Sequence, residues 1–195
     1  MNKTDIIWTE KTWNPMPYAA IIHTLAWTGM RPSETCGLRK GDLDLATAIV
    51  RVCRARHSCE DGPTKTGSAV RTVQLVPQTV EWLRRIQPLH VRPEDFVFTN
   101  TDHRPVEPRK LAERFHDCLR ALGIRPRGVY ALKDTYISIA LSKGVEIAWL
   151  EAQTGVGYAT IRRHYGQYVR TAGADQIARL TGGESLSRIR AETPR

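Results

Sequence analysis

The sequence predicts an α+β protein, mainly α-helical, with one small antiparallel β-hairpin or sheet. Two observations carry that expectation. Apolar residues recur at helical spacing in successive segments, and most of these segments are closed by a glycine. Between the first and the later of them, two short alternating β-branched stretches enclose a polar, turn-rich one. At 195 residues the chain is long enough to bury one core.

Taken in order, residues 1–16 are polar and tryptophan-containing, without helical periodicity. They form a non-conforming N-terminal segment, as at a fusion or truncation junction. Pro17 stands where a first-turn proline belongs. Ile21, Ile22, Leu25 and Ala26 make one apolar stripe, and Gly29 follows as a C′ residue. Pro32 opens a short second helix with Glu34 in its first turn, ended by Gly41-Asp42-Leu43-Asp44. Ala48–Arg54 alternates and is β-branched, so it reads as a strand. Ser58–Pro63 reads as turn, and Ala69–Leu75 alternates again. Helices are then expected over Thr79–Ile86, Glu107–Leu122, Leu132–Lys143, Glu146–Gln153 and Ala159–Gln167, with Phe96–Phe98 as a short extended piece. Residues 17–180 form the domain, and residues 181–195 have little to bury and read as a flexible tail.

The charge balance points to a partner. The chain carries 29 Lys+Arg against 20 Asp+Glu, a formal net charge of +9, which favours a polyanion through phosphate neutralisation. Arg104, Arg109, Arg114, Arg120, Arg125 and Arg127 fall within one segment. The N-terminus lacks the apolar region of a secretory signal, and no apolar run is long enough to span a membrane. A cytoplasmic protein without membrane partners is expected. Cys36, Cys53, Cys59 and Cys118 show no framework spacing. Cys53, His57 and Cys59 lie close together but lack a fourth ligand, so free thiols and no metal site are expected.

Four motifs carry chemistry. Thr28-Gly29-Met30-Arg31-Pro32-Ser33-Glu34 puts an arginine at a helix–helix junction, where its planar fork can face a phosphate. Thr64-Lys65-Thr66-Gly67, followed by Arg71-Thr72-Val73-Gln74-Leu75, puts a lysine in the hairpin loop. Tyr130-Ala131-Leu132-Lys133-Asp134-Thr135 opens a helix. Gln153-Thr154-Gly155-Val156 precedes a helix carrying Arg162-Arg163-His164-Tyr165-Gly166.

In this order, over about residues 17–170, the motifs resemble the catalytic domain of the tyrosine recombinase, or phage integrase, family. The resemblance implies that Arg31 contacts the scissile phosphate, that Glu34 helps hold the site together, and that Lys65 protonates the departing 5′-oxygen. It implies that Tyr165 is the nucleophile. The chain departs from the usual His-x-Leu-Arg-His box, with Tyr130, Lys133 and Asp134 at its first histidine, arginine and second histidine. Val156 replaces a further histidine. Lysine keeps the charge of arginine but not its two-pronged contact. Arg71, Arg162 and Arg163 are the candidate DNA contacts.

The implied reaction is site-specific DNA recombination or integration through a 3′-phosphotyrosyl intermediate. The phosphodiester energy is kept in that link, so no cofactor is required. The implied partner is double-stranded DNA, with self-association on it. Family members also carry an N-terminal core-binding domain, so weak, salt-sensitive DNA binding is expected of this chain alone. Two alternatives come from the same residues. One is an impaired remnant that binds DNA without cutting it, as Lys133, Asp134 and Val156 suggest. The other is a helix-turn-helix regulator built from residues 146–164, with Ile161 closing its small core.

Overall fold

A computed structural model describes residues 16–57, 60–63, 70–86 and 92–169. Of the expected segment 1–16 all but Met16, which begins the first helix, lies outside the described residues, as do 181–195 and Lys65. In chain order the elements are α1 (Met16–Thr28), α2 (Pro32–Cys36), a 3-10 turn (Lys40–Asp42), β1 (Leu43–Asp44), β2 (Ile49–Val52), β3 (Arg54–His57), β4 (Glu60–Pro63) and β5 (Arg71–Gln74). They continue as α3 (Pro77–Arg85), α4 (Pro108–Ala121), α5 (Ala131–Ser142), α6 (Ile147–Thr154), α7 (Tyr158–Tyr165) and a 3-10 turn (Gly166–Tyr168).

The first helix differs from its one-striped expectation. Ala19 to Leu25 are all buried, so α1 is enclosed by its neighbours, α5 and α3 above all. Its polar residues are satisfied internally: Thr24 Oγ1 donates to the Ala20 carbonyl at 2.7 Å and Thr28 Oγ1 to the Thr24 carbonyl at 2.6 Å. His23 meets Thr79 through Nδ1 and Oγ1 at 3.2 Å, between the rings of Trp27 and Trp82.

Burial pulls the His23 imidazole down to about 4. The unfolded chain therefore takes up a proton near pH 6.5 that the native state refuses until near pH 4. The associated stability is present above pH 6.5 and is lost as pH falls towards 4. Urea denaturation at pH 7 and pH 4 is expected to differ by roughly 2–3 kcal/mol from this residue. His23→Phe is expected to remove that part of the difference.

β1, β2 and β5 form a three-stranded antiparallel sheet in the order β1-β2-β5. Val50 lies opposite Val73, and Val52 opposite Arg71. The expected strand over Ala48–Arg54 is in fact two strands, interrupted at Cys53. The stretch read as turn contains β4, which pairs with β3 from Arg54↔Pro63 to His57↔Glu60. Gly62-Pro63 is locally turn-forming, but proline is tolerated at the end of a two-stranded ribbon, where no further ladder bond is asked of it. The expected strands over 48–54 and 69–75 thus meet as β2 and β5, and β3–β4 is a separate two-stranded ribbon between them in sequence.

The later helices follow the sequence reading to within one or two residues. The main core gathers Ile21, Leu25, Met30, Leu38, Val73 and Phe98, with a second cluster of Ile137, Leu141, Leu150 and Ile161 under α5, α6 and α7. Gly29 joins α1 to α2 at φ +66°, where a Cβ would stand 2.6 Å from the Tyr136 ring and 2.8 Å from Thr154. Both the backbone angle and the close approach demand glycine there. This contact brings the α1–α2 junction against α5 and the C-terminus of α6.

Candidate active site

The site is organised by one buried carboxylate. Glu34, in the first turn of α2, is 1% exposed. Its Oε2 accepts the Arg31 backbone N–H at 2.8 Å and its Oε1 accepts the Arg31 guanidinium at 2.7 Å. From β5, Arg71 approaches the same carboxylate with both terminal nitrogens, at 3.0 and 2.8 Å. Burial alone would raise the Glu34 carboxyl, but Arg71 and Arg31 outweigh it and hold the group below its usual range. Glu34 is thereby a charged bracket between two arginines from distant parts of the chain.

The C-terminus of α6 supplies the second bracket. Arg71 Nε donates to the Gln153 carbonyl at 3.1 Å, Lys133 Nζ to the Thr154 carbonyl at 2.7 Å, and Arg31 reaches the Gly155 carbonyl at 3.5 Å. Three successive carbonyls at the negative end of a helix thus meet three cations. Gly155 ends α6 at φ +65°, and a Cβ there would press on the Arg71 guanidinium at 3.2 Å. The Gln153 side chain fastens α6 to the outer edge of β5: it accepts the Gln74 N–H at 3.0 Å and donates to the Gln74 carbonyl at 2.9 Å.

The cations differ in what they offer to a ligand. The Arg31 side chain is 37% exposed, so its oriented guanidinium faces outward. Burial disfavours its charge, but Glu34 and Tyr130 more than compensate and raise it. Lys133 is 2% exposed. Burial, reinforced by Arg31 and Arg71 and opposed by Glu34, pulls its ammonium down to about 7. The Arg71 side chain is only 7% exposed, with Nε and both terminal nitrogens engaged inside the protein. In this arrangement Arg71 positions Glu34 and, through it, Arg31. Arg162 and Arg163 are exposed on α7.

Tyr130 is the N-cap residue of α5 and is 47% exposed. It interacts electrostatically with both Arg31 and Tyr165, the terminal residue of α7. The Tyr165 hydroxyl donates to Asp134 Oδ1 at 2.6 Å. Burial, then the Asp134 carboxylate, then Tyr130 push the phenol upward. Val156 packs at the margin of the second core cluster. Among the described residues no group of His, Cys, Asp or Glu is arranged to hold a metal ion, and no helix is long and apolar enough to cross a membrane.

A family model for the phage integrase family matches residues 4–170. The chain belongs to the phage integrase family. Among curated integrases, the prophage phiRv2 integrase of Mycobacterium tuberculosis is 29% identical over 149 residues, 72% of this chain and 40% of that protein. The prophage integrase IntR of Escherichia coli is 26% identical over 180 residues, 79% of this chain and 44% of that protein. The chain spans less than half the length of these relatives. Among solved structures, the Tn1549 transposon integrase in complex with circular intermediate DNA superposes with a TM-score of 0.73 at 19% identity, covering 91% of this chain and 63% of that one. The catalytic domain of bacteriophage HP1 integrase gives 0.59 at 16% identity, covering 95% and 98%. The integrase fold therefore accounts for the helical body and the small sheet.

Within this integrase domain, Arg31, Glu34, Tyr130, Lys133 and Tyr165 converge around α5 and the α6–α7 corner. The sequence reading gave no role to Gln153 and Thr154, which bind through backbone or to backbone and so leave no motif. It noted Asp134 only as a departure, although its place beside Lys133 on a first helical turn was visible. It also missed the pair of Arg56 and Glu107, joined at 2.6 Å on the far side of α2.

Proposed function

We propose that this chain is the catalytic domain of a site-specific recombinase, which cleaves and rejoins double-stranded DNA while self-associated on it. The observation that carries the reading is the convergence of Arg31 and Lys133 on the Gly155 and Thr154 carbonyls, with Tyr165 hydrogen-bonded to Asp134, the neighbour of Lys133. It brings a permanently charged arginine and a tyrosine hydroxyl to the same end of α5. Arg31, with Lys133 behind it, stabilises charge on the non-bridging oxygens. The Tyr165 oxygen attacks phosphorus in line, and the bond to the 5′-oxygen breaks. Lys65 protonates that oxygen as it leaves. A second 5′-hydroxyl then displaces the tyrosine and restores a phosphodiester. Arg162 and Arg163 hold the flanking backbone. Likeness to an integrase solved on DNA supports a DNA partner for this fold.

The burial of Lys133 favours a second reading, DNA binding without cleavage, because its ammonium is occupied by the Thr154 carbonyl. Trapping on nicked DNA that carries the cognate site separates the two. Wild type is expected to give a denaturation-resistant protein–DNA adduct, and Tyr165→Phe none. An adduct that persists in the variant removes Tyr165 from the role. Retained DNA binding without any adduct on the correct site establishes the second reading.

A further inference from the structure

We propose that Asp134 is the proton acceptor for Tyr165 in strand cleavage and the proton donor to it in rejoining. The inference rests on the proposed function and assigns that reaction a group to which the recombinase motifs give no role. Attack by a phenol requires that its proton go somewhere as the oxygen–phosphorus bond forms. Asp134 Oδ1 already receives that hydrogen bond at 2.6 Å. Val156, where the family carries a histidine, has no basic atom, and Tyr130 is itself a phenol.

The placement suits the task. Asp134 stands in the first turn of α5, where the helix dipole favours a carboxylate. It is exposed, so it is open to the same solvent-facing side as the substrate. Tyr165 ends α7, whose Ile161 is buried against Leu150 and Ile137, so the phenol is carried on a packed element. The ionisable groups around the pair are Lys133 and Tyr130 on the α5 side, Arg31 beyond Tyr130, and Tyr168 in the 3-10 turn that packs on α5.

The step balances. The Tyr165 oxygen forms a bond to phosphorus, its proton passes to Asp134, and the 5′-oxygen departs with a proton from the general acid. In rejoining, the incoming 5′-hydroxyl gives its proton back to the deprotonated general acid, the tyrosyl–phosphorus bond breaks, and protonated Asp134 returns its proton to the phenolate. One carboxyl group thus serves as base and acid in turn.

The test compares single-turnover adduct formation by wild type, Asp134→Asn and Asp134→Glu on the nicked site DNA, from pH 6 to pH 9. Asp134→Asn keeps shape and an acceptor oxygen but not basicity. It is expected to cleave on the order of 100-fold more slowly at neutral pH, with DNA binding unchanged or slightly tighter. The rate ratio of Asn variant to wild type is expected to climb about tenfold per pH unit, because the variant must wait for phenolate. Loss of the Asp134 carboxylate also favours neutral Lys133, which lowers the variant's rate further as pH rises and so works against the expected climb in the ratio. Asp134→Glu is expected to recover part of the rate. In the absence of DNA, a phenolate absorbance difference titration is expected to show one tyrosine ionising more easily in Asp134→Asn.

An Asn variant that cleaves as fast as wild type, or faster, overturns the assignment and makes the carboxylate a restraint on the nucleophile. A pH-independent rate ratio or an unchanged phenol titration also overturns it. Wild type that shows the phenol contact yet forms no adduct overturns the proposed function, and the assignment with it.

Discussion

Glu34→Ala is expected to destabilise the domain by about 4 kcal/mol in urea denaturation, the cost of stranding one member of a buried ion pair. Four donors converge on this carboxylate, two from Arg31 and two from Arg71. Removing it leaves the Arg71 guanidinium buried beside Arg31 and Lys133, three cations with no anion among them. The backbone bond to Arg31 at the start of α2 is lost as well. Glu34→Gln keeps the volume and one acceptor oxygen, and is expected to fall between wild type and Ala. A loss below about 1 kcal/mol for the Ala variant would place Glu34 among ordinary surface charges and remove its bracketing role. Adduct formation is expected to fall further than stability explains, because Arg31 loses the contact that aims it.

Lys133→Met is expected to act in opposite directions on stability and on cleavage. An unfolded lysine titrates near 10.4, whereas burial brings Lys133 down to about 7. Between those values the unfolded chain holds a proton that the native state tends to release. Stability linked to Lys133 is therefore full above pH 10.4 and is lost as pH falls towards 7, by roughly 4 kcal/mol. Met fills a similar volume without a charge to desolvate. At pH 7 the variant is expected to be about 2 kcal/mol more stable than wild type, after allowing for the unpaired Thr154 carbonyl. Its stability is expected to lose the rise between pH 7 and pH 10. Cleavage is expected to drop on the order of a hundredfold, as for loss of one oriented donor. Denaturation at the two pH values decides the first part: a Met variant less stable at pH 7, with the wild-type pH slope intact, contradicts it.

Most helices could be placed from the chain alone because their ends are written locally. Pro32 and Pro108 sit at first turns, and Gly29, Gly123, Gly144 and Gly155 adopt the left-handed conformation at their ends. The β3–β4 ribbon was not legible, since Glu60-Asp61-Gly62-Pro63 has turn chemistry and becomes a strand only through its partner. Arg31, Glu34 and Tyr165 could be singled out by residue type and motif. The burial of Arg71 and Lys133 could not, because a buried cation is tolerated where distant carbonyls and a carboxylate receive it. Those receivers lie in the α6 backbone, where side-chain identity leaves no trace. For the same reason the fourfold contacts of Glu34 were foreseen only as a supporting role, without Arg71 in it.

The three carbonyls of Gln153, Thr154 and Gly155 also set an order of events in folding. They tie together residues separated in sequence by 82, 21 and 124 positions, so the cation cluster closes loops of very different length. Long loops close late and at greater entropic cost. Until α6 docks against β5, Arg31, Lys133 and Arg71 lack their common anchor and repel one another. A chain still emerging from synthesis thus reaches residue 155 before Arg31, Lys133 and Arg71 gain their common anchor. Under the proposed function, partial chains that end before α6 are expected to lack DNA binding, which a pull-down of C-terminally truncated chains on site DNA checks.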